Sequence, residues 1–226
     1  GRGPGATEMS NGADEPLSVD PVELKRLAAQ EAFDGKVPTD ERNARGQFAT
    51  PPALAEAMVR LAQHLFPHVV RVRFLDPSVG TGAFISAVLR VYGPAAIDSA
   101  TGFEVDRRLV ALARDLWTSF GVRIVQSDFT REDPPSVNFH KPNLIVCNPP
   151  YVRHHHLGSS MKSRLKGKAV RLGFSANGLM GLYGYFLLLA HQWLAPDGGA
   201  VWIVPAKFLD VNYGGVLKRY LRDQVT

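Results

Sequence analysis

Three carboxylates and one stiff polar loop carry the chemical content of this sequence. Asp76, Glu104 and Asp128 each stand at the end of a short apolar run. Asp76 opens Asp76-Pro77-Ser78-Val79-Gly80-Thr81-Gly82-Ala83-Phe84, a glycine-rich turn. Such a turn lets backbone approach a ligand closely and aims helix N–H groups at it. Its spacing is Gly-x-Gly, without the third glycine of the dinucleotide fingerprint, so alone it also fits a tight strand-to-helix turn. Asp76 could hold a cationic amino-acid group, directly or through water. Glu104, in Gly102-Phe103-Glu104-Val105-Asp106, suits a ribose diol, because one carboxylate accepts from both hydroxyls. Asp106 has the position of a helix cap. Asp128, in Gln126-Ser127-Asp128-Phe129, could accept from the exocyclic amine of an adenine, with Phe129 against the ring. The competing reading of Asp128 is a cap or turn residue. The polar loop is Asn148-Pro149-Pro150-Tyr151, in which two prolines fix φ and hold an amide and an aromatic ring in place.

The elements that must position these residues follow from hydrophobic periodicity. Strands are expected at 72–75, 100–103, 122–125, 144–147 and 200–204, separated by helices at 82–92, 107–120 and 182–194, with a last helix at 216–222. Alternation of this kind implies parallel pairing with right-handed crossovers. The fold class is therefore α/β, a three-layer α/β/α arrangement around a mostly parallel sheet. Sheets of this type bind ligands beyond the carboxyl ends of their strands, near the switch in strand order. All three acids and the Asn-Pro-Pro-Tyr loop fall at such ends. Ahead of the sheet, Asp20-Pro21 has the form of an N-cap with proline at the first helical position, followed by the stripe Leu24, Leu27, Ala28 and Ala32. The stretch 42–52 looks irregular, and a helix should follow through Leu54, Met58, Leu61 and Leu65. The organisation expected is a disordered tail or expression remnant over 1–17, a helical segment over 18–70, and a core over 71–226.

Composition narrows the classes. The chain has 226 residues, 45% of them hydrophobic, enough for one sizeable core. With a single cysteine, Cys147, no disulfide framework or cysteine-based zinc site can form within the chain, and a reducing cytoplasm is the natural compartment. No apolar run approaches the roughly 18–20 residues that a membrane span needs. The formal charge is +5. Between residues 151 and 173 lie Arg153, Lys162, Arg164, Lys166, Lys168 and Arg171 with no acid; removing those six from the 26 basic residues leaves 20 against 21 acidic ones. The surplus thus sits in one stretch, as contact with a polyanion requires; the alternative is a solvated loop. His154-His155-His156 could bind metal, but adjacent histidines do not share one face and no carboxylate is near, so no metal is expected. Tyr183, Tyr185 and Phe186 fit a buried core better than a cofactor-binding box.

Asn148-Pro149-Pro150-Tyr151 resembles the (Asn/Asp/Ser)-Pro-Pro-(Tyr/Phe/Trp) signature of amino-methyltransferases acting on nucleic acids. Further matches run over 46–208. Gly46-Gln47-Phe48-Ala49-Thr50-Pro51 resembles the Phe-x-Thr-Pro segment of adenine-N6 enzymes, and residues 76–84 resemble their Asp-Pro-x-x-Gly-x-Gly-x-Phe loop. Leu182-Tyr183-Gly184-Tyr185-Phe186 resembles their Leu-Tyr-x-x-Phe helix, and Gly198-Gly199 to Pro205-Ala206 their fifth strand. The order of the motifs is similar to that of the TaqI and Eco57I-type adenine-N6 DNA methyltransferases.

The resemblance implies a Rossmann-like class I S-adenosylmethionine-dependent methyltransferase fold. It implies a cofactor, S-adenosyl-L-methionine, held by Phe48, Thr50, Pro51, Asp76, Pro77, Gly80, Gly82, Phe84, Glu104, Val105, Asp128, Phe129 and Asn148. Catalysis would fall to Asn148, Pro149, Pro150 and Tyr151. The amino nitrogen of adenine delocalises its lone pair into the ring. Two acceptors aimed at its hydrogens, the Asn148 side-chain oxygen and the Pro149 carbonyl, would restore nucleophilicity, with Tyr151 stacking on a base flipped out of double-stranded DNA. Transfer to the nitrogen needs no covalent intermediate. Cys147, inside a strand, is not placed as the nucleophile that cytosine carbon methylation requires. The six basic residues of 151–173 would contact DNA. Relatives of this kind are bacterial restriction-modification or phage-defence enzymes, in which seven strands and a following target-recognition domain are expected. This chain ends after the fifth strand, so that domain would come from elsewhere. Two rivals stand: a protein-glutamine or ribosomal-RNA methyltransferase, and a module that binds cofactor or DNA without transfer.

Overall fold

The computed structural model describes residues 18–174, 180–206, 217, 218 and 220–222. Its centre is a five-stranded, all-parallel sheet in the order β3-β2-β1-β4-β5. The strands are β1 (Val72–Asp76), β2 (Ile97–Glu104), β3 (Val122–Gln126), β4 (Leu144–Cys147) and β5 (Gly199–Trp202). The chain steps outward from β1 through β2 to β3, then returns to place β4 on the other side of β1. The switch in strand order therefore lies between β1 and β4, where Asp76 ends one strand and Asn148 follows the other. Register brings the carboxyl ends level: Asp76 pairs with Gly102, and Glu104 with Gln126.

β4 is Leu-Ile-Val-Cys, buried along its whole length, as expected of a central parallel strand covered on both faces. Alternate residues divide between two cores. Phe74, Ala100, Ile124, Leu144 and Val146 face α3 (Pro52–Leu65), α4 (Ala83–Tyr92) and α5 (Arg107–Trp117). Leu75, Phe103, Ile145 and Cys147 face α7 (Leu182–His191) and α6 (Ser159–Arg171). The glycine-rich turn is locked from beneath. Gly82 has φ +92°, and a Cβ there would lie 2.2 Å from the Nε1 atom of the fully buried Trp117. That indole donates to the Thr81 carbonyl at 2.8 Å.

Several expectations are corrected. The first helix, α1 (Val19–Lys36), starts one residue before Asp20, with Ser18 at the N-cap and Pro21 inside the first turn. Its apolar stripe does not face the core: Leu24 is 70% exposed, and Leu27, Ala28 and Ala32 are exposed too. The buried face is Val19, Glu23, Arg26 and Phe33, because an ion pair bonded at both ends is carried inward. In α3 the buried residues are Ala55, Met58, Val59 and Ala62, while Leu54, Leu61 and Leu65 are exposed. The small side chains let α3 lie close on α4. Part of the stretch expected to be irregular is a helix, α2 (Thr39–Arg45). The basic stretch expected to be a loop holds the 13-residue α6, preceded by Gly158. Met161, Leu165 and Ala169 make its inward stripe, at a spacing of one turn. The expected last helix is seen at 217, 218 and 220–222; Val216 and Arg219 lie outside the described residues, as do the tail 1–17 and Phe208 at the end of the resembling region. Among the described residues no helix is long and apolar enough to cross a membrane.

Candidate functional site

The end of β2 holds the glycine-rich turn in shape. Glu104 Oε2 accepts from the Gly80 N–H at 3.1 Å, and Oε1 accepts from the Val105 and Asp106 N–H groups, each at 2.8 Å. Burial pushes the Glu104 carboxyl up, and these three N–H groups oppose the shift. Val79 is pinned by its own N–H to the Phe103 carbonyl at 2.9 Å. Gly102 is required beneath it, since a Cβ would lie 2.8 Å from the Val79 side chain. Asp106 caps α5, accepting from the Arg108 N–H at 2.9 Å, and it pairs with Arg108 and Arg45.

Asp76 is buried. Its Oδ1 accepts from the Ser78 N–H at 3.0 Å, and its Oδ2 has no partner. Burial raises its pKa from 3.8 to about 7, against the Ser78 N–H, which lowers it. Below about pH 7 the neutral form is thus the stable one in the folded protein. Its stabilising effect is complete below the ordinary carboxylate pKa and is lost as pH rises through about 7. Asp76→Asn removes that loss. The melting temperature of the variant minus that of wild type should therefore be larger at pH 8 than at pH 5. A difference that does not change with pH would show that the carboxylate is compensated.

The Asn-Pro-Pro-Tyr loop is clamped from three directions. Ser78 Oγ donates to the Asn148 backbone carbonyl at 2.8 Å. The Tyr151 N–H donates to the Gly46 carbonyl at 3.4 Å, and Tyr151 OH donates to the Ile203 carbonyl at 3.2 Å. Gly46 has φ +63°, and a Cβ on it would lie 2.4 Å from the Tyr151 nitrogen, so glycine is required for the chain to pass there. Phe48 packs on the Tyr151 ring with centroids 6.0 Å apart, and Tyr183 meets that ring edge-on at 6.4 Å. Burial pushes the Tyr151 phenol up to about 12. Asn148 Nδ2 donates to the Phe48 carbonyl at 3.3 Å and to Thr50 Oγ1 at 3.2 Å. Its Oδ1 is buried with no partner. Cys147 is fully buried with its thiol pushed up by desolvation, so it stays protonated.

These pieces surround a cavity of about 380 Å³. Of the residues singled out from sequence, Phe48, Pro77, Gly80, Glu104, Val105, Asp128, Phe129, Asn148 and Pro150 line it. A smaller chamber of about 50 Å³ is bounded by Thr50, Asp76 and Phe84, and Phe48, Gly80 and Asn148 border both spaces. Pro51, Gly82, Pro149 and Tyr151 line neither: Pro51 precedes α3, Gly82 packs on Trp117, and Tyr151 sits beside Phe48. Sequence reasoning missed a whole wall. Gln30, Phe33 and Asp34 of α1 and Arg42 and Arg45 of α2 close one side. The available signal was a set of polar residues at helical core spacing, Glu23, Arg26 and Gln30, on the side of α1 away from its leucines. Phe186 of α7 also lines the cavity, while Tyr183 and Tyr185 are buried core.

Asp128 caps the turn Phe129–Arg131, its Oδ1 accepting from the Thr130 N–H at 3.0 Å and from Thr130 Oγ1 at 2.6 Å. Its Oδ2 is met by Arg164 at 3.0 Å. Arg164 turns inward here and also donates to the Thr130 carbonyl at 2.8 Å. Lys168 likewise turns to the Glu132 carbonyl at 3.0 Å and to Asp133 at 3.3 Å. Arg153, Lys166 and Arg171 are exposed, and Lys162 is half-buried. His154–His156 form a short turn in which the His154 and His155 rings meet edge-on and those of His155 and His156 are tilted, with centroids 4.2 Å apart.

Residues 112–225 match the sequence model described as Eco57I restriction-modification methylase. The type II methyltransferase M.AccI of Acinetobacter calcoaceticus is 30% identical over 190 residues, covering 84% of this chain and 33% of the relative. M.XamI of Xanthomonas campestris pv. amaranthicola is 28% identical over 186 residues, covering 80% of this chain and 33% of its own. The chain thus spans about a third of the length of these curated relatives. A class I S-adenosylmethionine-dependent methyltransferase structure from Listeria monocytogenes superposes with a TM-score of 0.69 at 16% identity, covering 91% of this chain and 60% of that one. That likeness establishes the Rossmann-like class I methyltransferase fold, although the described sheet has five strands. The matched segment spans half of the chain and takes in the end of α5, the Asn-Pro-Pro-Tyr loop and β5, and on that footing the chain belongs to the Eco57I restriction-modification methylase family.

Proposed function

We propose that this chain is the catalytic core of an S-adenosylmethionine-dependent DNA methyltransferase that modifies N6 of adenine within a restriction-modification or phage-defence system. The state of Asn148 carries this reading. A backbone carbonyl can only accept, so the Phe48 carbonyl orients the NH2 side of the amide and leaves Oδ1 unpaired. An unsatisfied buried acceptor costs about 1–3 kcal/mol, an expense that makes sense where a ligand supplies the donor. The exocyclic amine of adenine is such a donor. With one hydrogen held by Asn148 Oδ1 and the other by the Pro149 carbonyl, its nitrogen is drawn from planar toward tetrahedral geometry and its lone pair is freed. The loop that carries both acceptors is held beforehand by Ser78, Gly46 and the two prolines. Tyr151 offers a ring to an extruded base.

The cavity suits the cofactor. Asp76 Oδ2, a buried carboxyl oxygen without a partner, fits an ammonium group, whose charge would favour the ionised form, and Glu104 fits a ribose diol. Phe103, Phe129 and Phe186 give an aromatic wall for a purine, beside Asp128. When bound, S-adenosylmethionine supplies a methyl group on a cationic sulfur, the electrophile that an activated amine can take up. Arg153, Lys162, Lys166 and Arg171 are the cations we assign to phosphate contact with double-stranded DNA. Recognition of a target sequence is assigned to a domain outside these 226 residues.

The test is methyl transfer by the protein expressed from its complete gene, with tritiated S-adenosylmethionine and separate pools of unmodified DNA, RNA and protein. Label recovered as N6-methyladenine in DNA is expected. Label confined to RNA or to glutamine side chains would overturn the reading, and label on cytosine would move the base.

A further inference from the structure

We infer that Arg26, on the helix ahead of the sheet, anchors the carboxylate of the cofactor's amino-acid end and makes the site selective for a zwitterionic cofactor. The inference rests on reading the cavity as an S-adenosylmethionine site and assigns one end of it. Arg26 is 1% exposed, the largest charged side chain buried to this degree among the described residues. Its Nε and Nη2 donate to the two oxygens of Glu23, each at 2.7 Å. Its Nη1 donates to Thr81 Oγ1 at 3.2 Å, and that hydroxyl donates on to Gln30 Oε1 at 2.8 Å. A guanidinium has five N–H bonds, so two remain uncommitted among the described residues.

A structural clamp between α1 and the glycine-rich turn would need no more than this. The chamber behind the main cavity adds the rest. Arg26 borders it together with Asp76, Thr50, Thr81 and Asn148. Its volume is about 50 Å³. A single water needs about 10–15 Å³ by the same measure, so there is room for a group of about three to five heavy atoms. One bordering group is an unpaired carboxylate oxygen of Asp76, and another is a guanidinium with N–H bonds to spare. Glu23 neutralises the Arg26 charge but leaves N–H bonds over, and these and the unpartnered Asp76 oxygen border one small chamber that is continuous in its lining with the main cavity. An α-ammonium with its α-carboxylate is a group of that size carrying both signs. Asp76 takes the ammonium and Arg26 the carboxylate. Arg26 also lies outside the segment that matches the family and before all the motifs of the sequence, so motif reading does not reach it.

Calorimetric titration with two nucleosides tests this. S-adenosylhomocysteine carries the amino-acid end; 5′-methylthioadenosine lacks it. In the pair Glu23→Gln with Arg26→Met, which leaves no carboxylate buried without its cation, the dissociation constant for S-adenosylhomocysteine should rise about 10–100-fold, the range of a lost charge-assisted bond. That for methylthioadenosine should stay within about two-fold of wild type on the same principle, because the contact is absent there. Equal weakening of both, or of neither, would leave Arg26 a clamp and overturn the inference. A second measurement does not depend on the variant folding. Decarboxylated S-adenosylmethionine keeps the ammonium and sulfonium groups, and it should bind the unchanged protein about 10-fold or more weakly than S-adenosylmethionine. Equal affinity would overturn the carboxylate anchor while leaving the cofactor reading intact. A wild-type protein that binds none of these nucleosides would remove both.

Discussion

Asn148→Ala is expected to lower methyl transfer to DNA by about 10²–10³-fold, the loss typical of removing one preorganised polar group at a reacting centre. Affinity for S-adenosylhomocysteine should change by only a few-fold. The two halves of this expectation come from different atoms. The polar groups we assign to the cofactor, Glu104 and Asp76, are held by the Gly80, Val105, Asp106 and Ser78 backbone and do not bond to the Asn148 side chain. What alanine removes is Oδ1, the acceptor without a partner, and the amide that joins the loop to Phe48 and Thr50. Asn148→Asp separates the contributions. An aspartate keeps an acceptor but cannot donate to the Phe48 carbonyl, so it should retain more transfer than alanine while losing the orientation. Transfer by Asn148→Ala at the wild-type rate would remove the amide from the chemistry. A matched loss of cofactor affinity would make it a binding residue.

The parts of the site that sequence alone reveals are those where one local segment contains both the element and its purpose. β4 is found to the residue because four consecutive apolar side chains end abruptly at Asn148. Glu104 and Asp76 are placed at the carboxyl end of the sheet because each is the last residue of its strand. Elements whose purpose lies with a distant partner are found poorly. In α1 the leucines draw attention to the exposed face, while the working face is polar and has meaning only beside Thr81, 55 residues on. In α6 the positive charge suggests a solvated stretch. Its inward stripe of Met161, Leu165 and Ala169 is thin, and Arg164 and Lys168 lie inward because Asp128 and Asp133 come to meet them. Asp128 shows both sides of this. Its place after β3 and its cavity position agree with the sequence reading, yet its carboxylate is already engaged by Thr130 and Arg164.

The second large effect concerns stability. Gly82→Ala should lower the melting temperature far more than Gly121→Ala, although both glycines have positive φ, +92° and +74°. At Gly121 a Cβ would meet nothing within 4 Å, so alanine there bears only the backbone strain, about 1–2 kcal/mol. At Gly82 the same atom would lie 2.2 Å from Trp117 Nε1 and 2.8 Å from its Cδ1. Trp117 cannot retreat easily, since it is fully buried and bonded to the Thr81 carbonyl. Overpacking adds about 1–3 kcal/mol to that strain, and freeing the carbonyl adds a comparable amount, for a total of about 3–8 kcal/mol. For a protein of this size that corresponds to a fall of roughly 6–30 °C, against a few degrees for Gly121→Ala. The turn beside Gly82 also carries Gly80, which borders the cavity, so surviving Gly82→Ala protein should bind S-adenosylhomocysteine more weakly. Truncating the neighbour tests the cause. Trp117→Leu in the Gly82→Ala background should recover part of the loss, because the clash disappears even though the indole bond is gone. If the two glycine variants melt together, backbone strain alone explains both, and the contact between the turn and Trp117 does not brace the site.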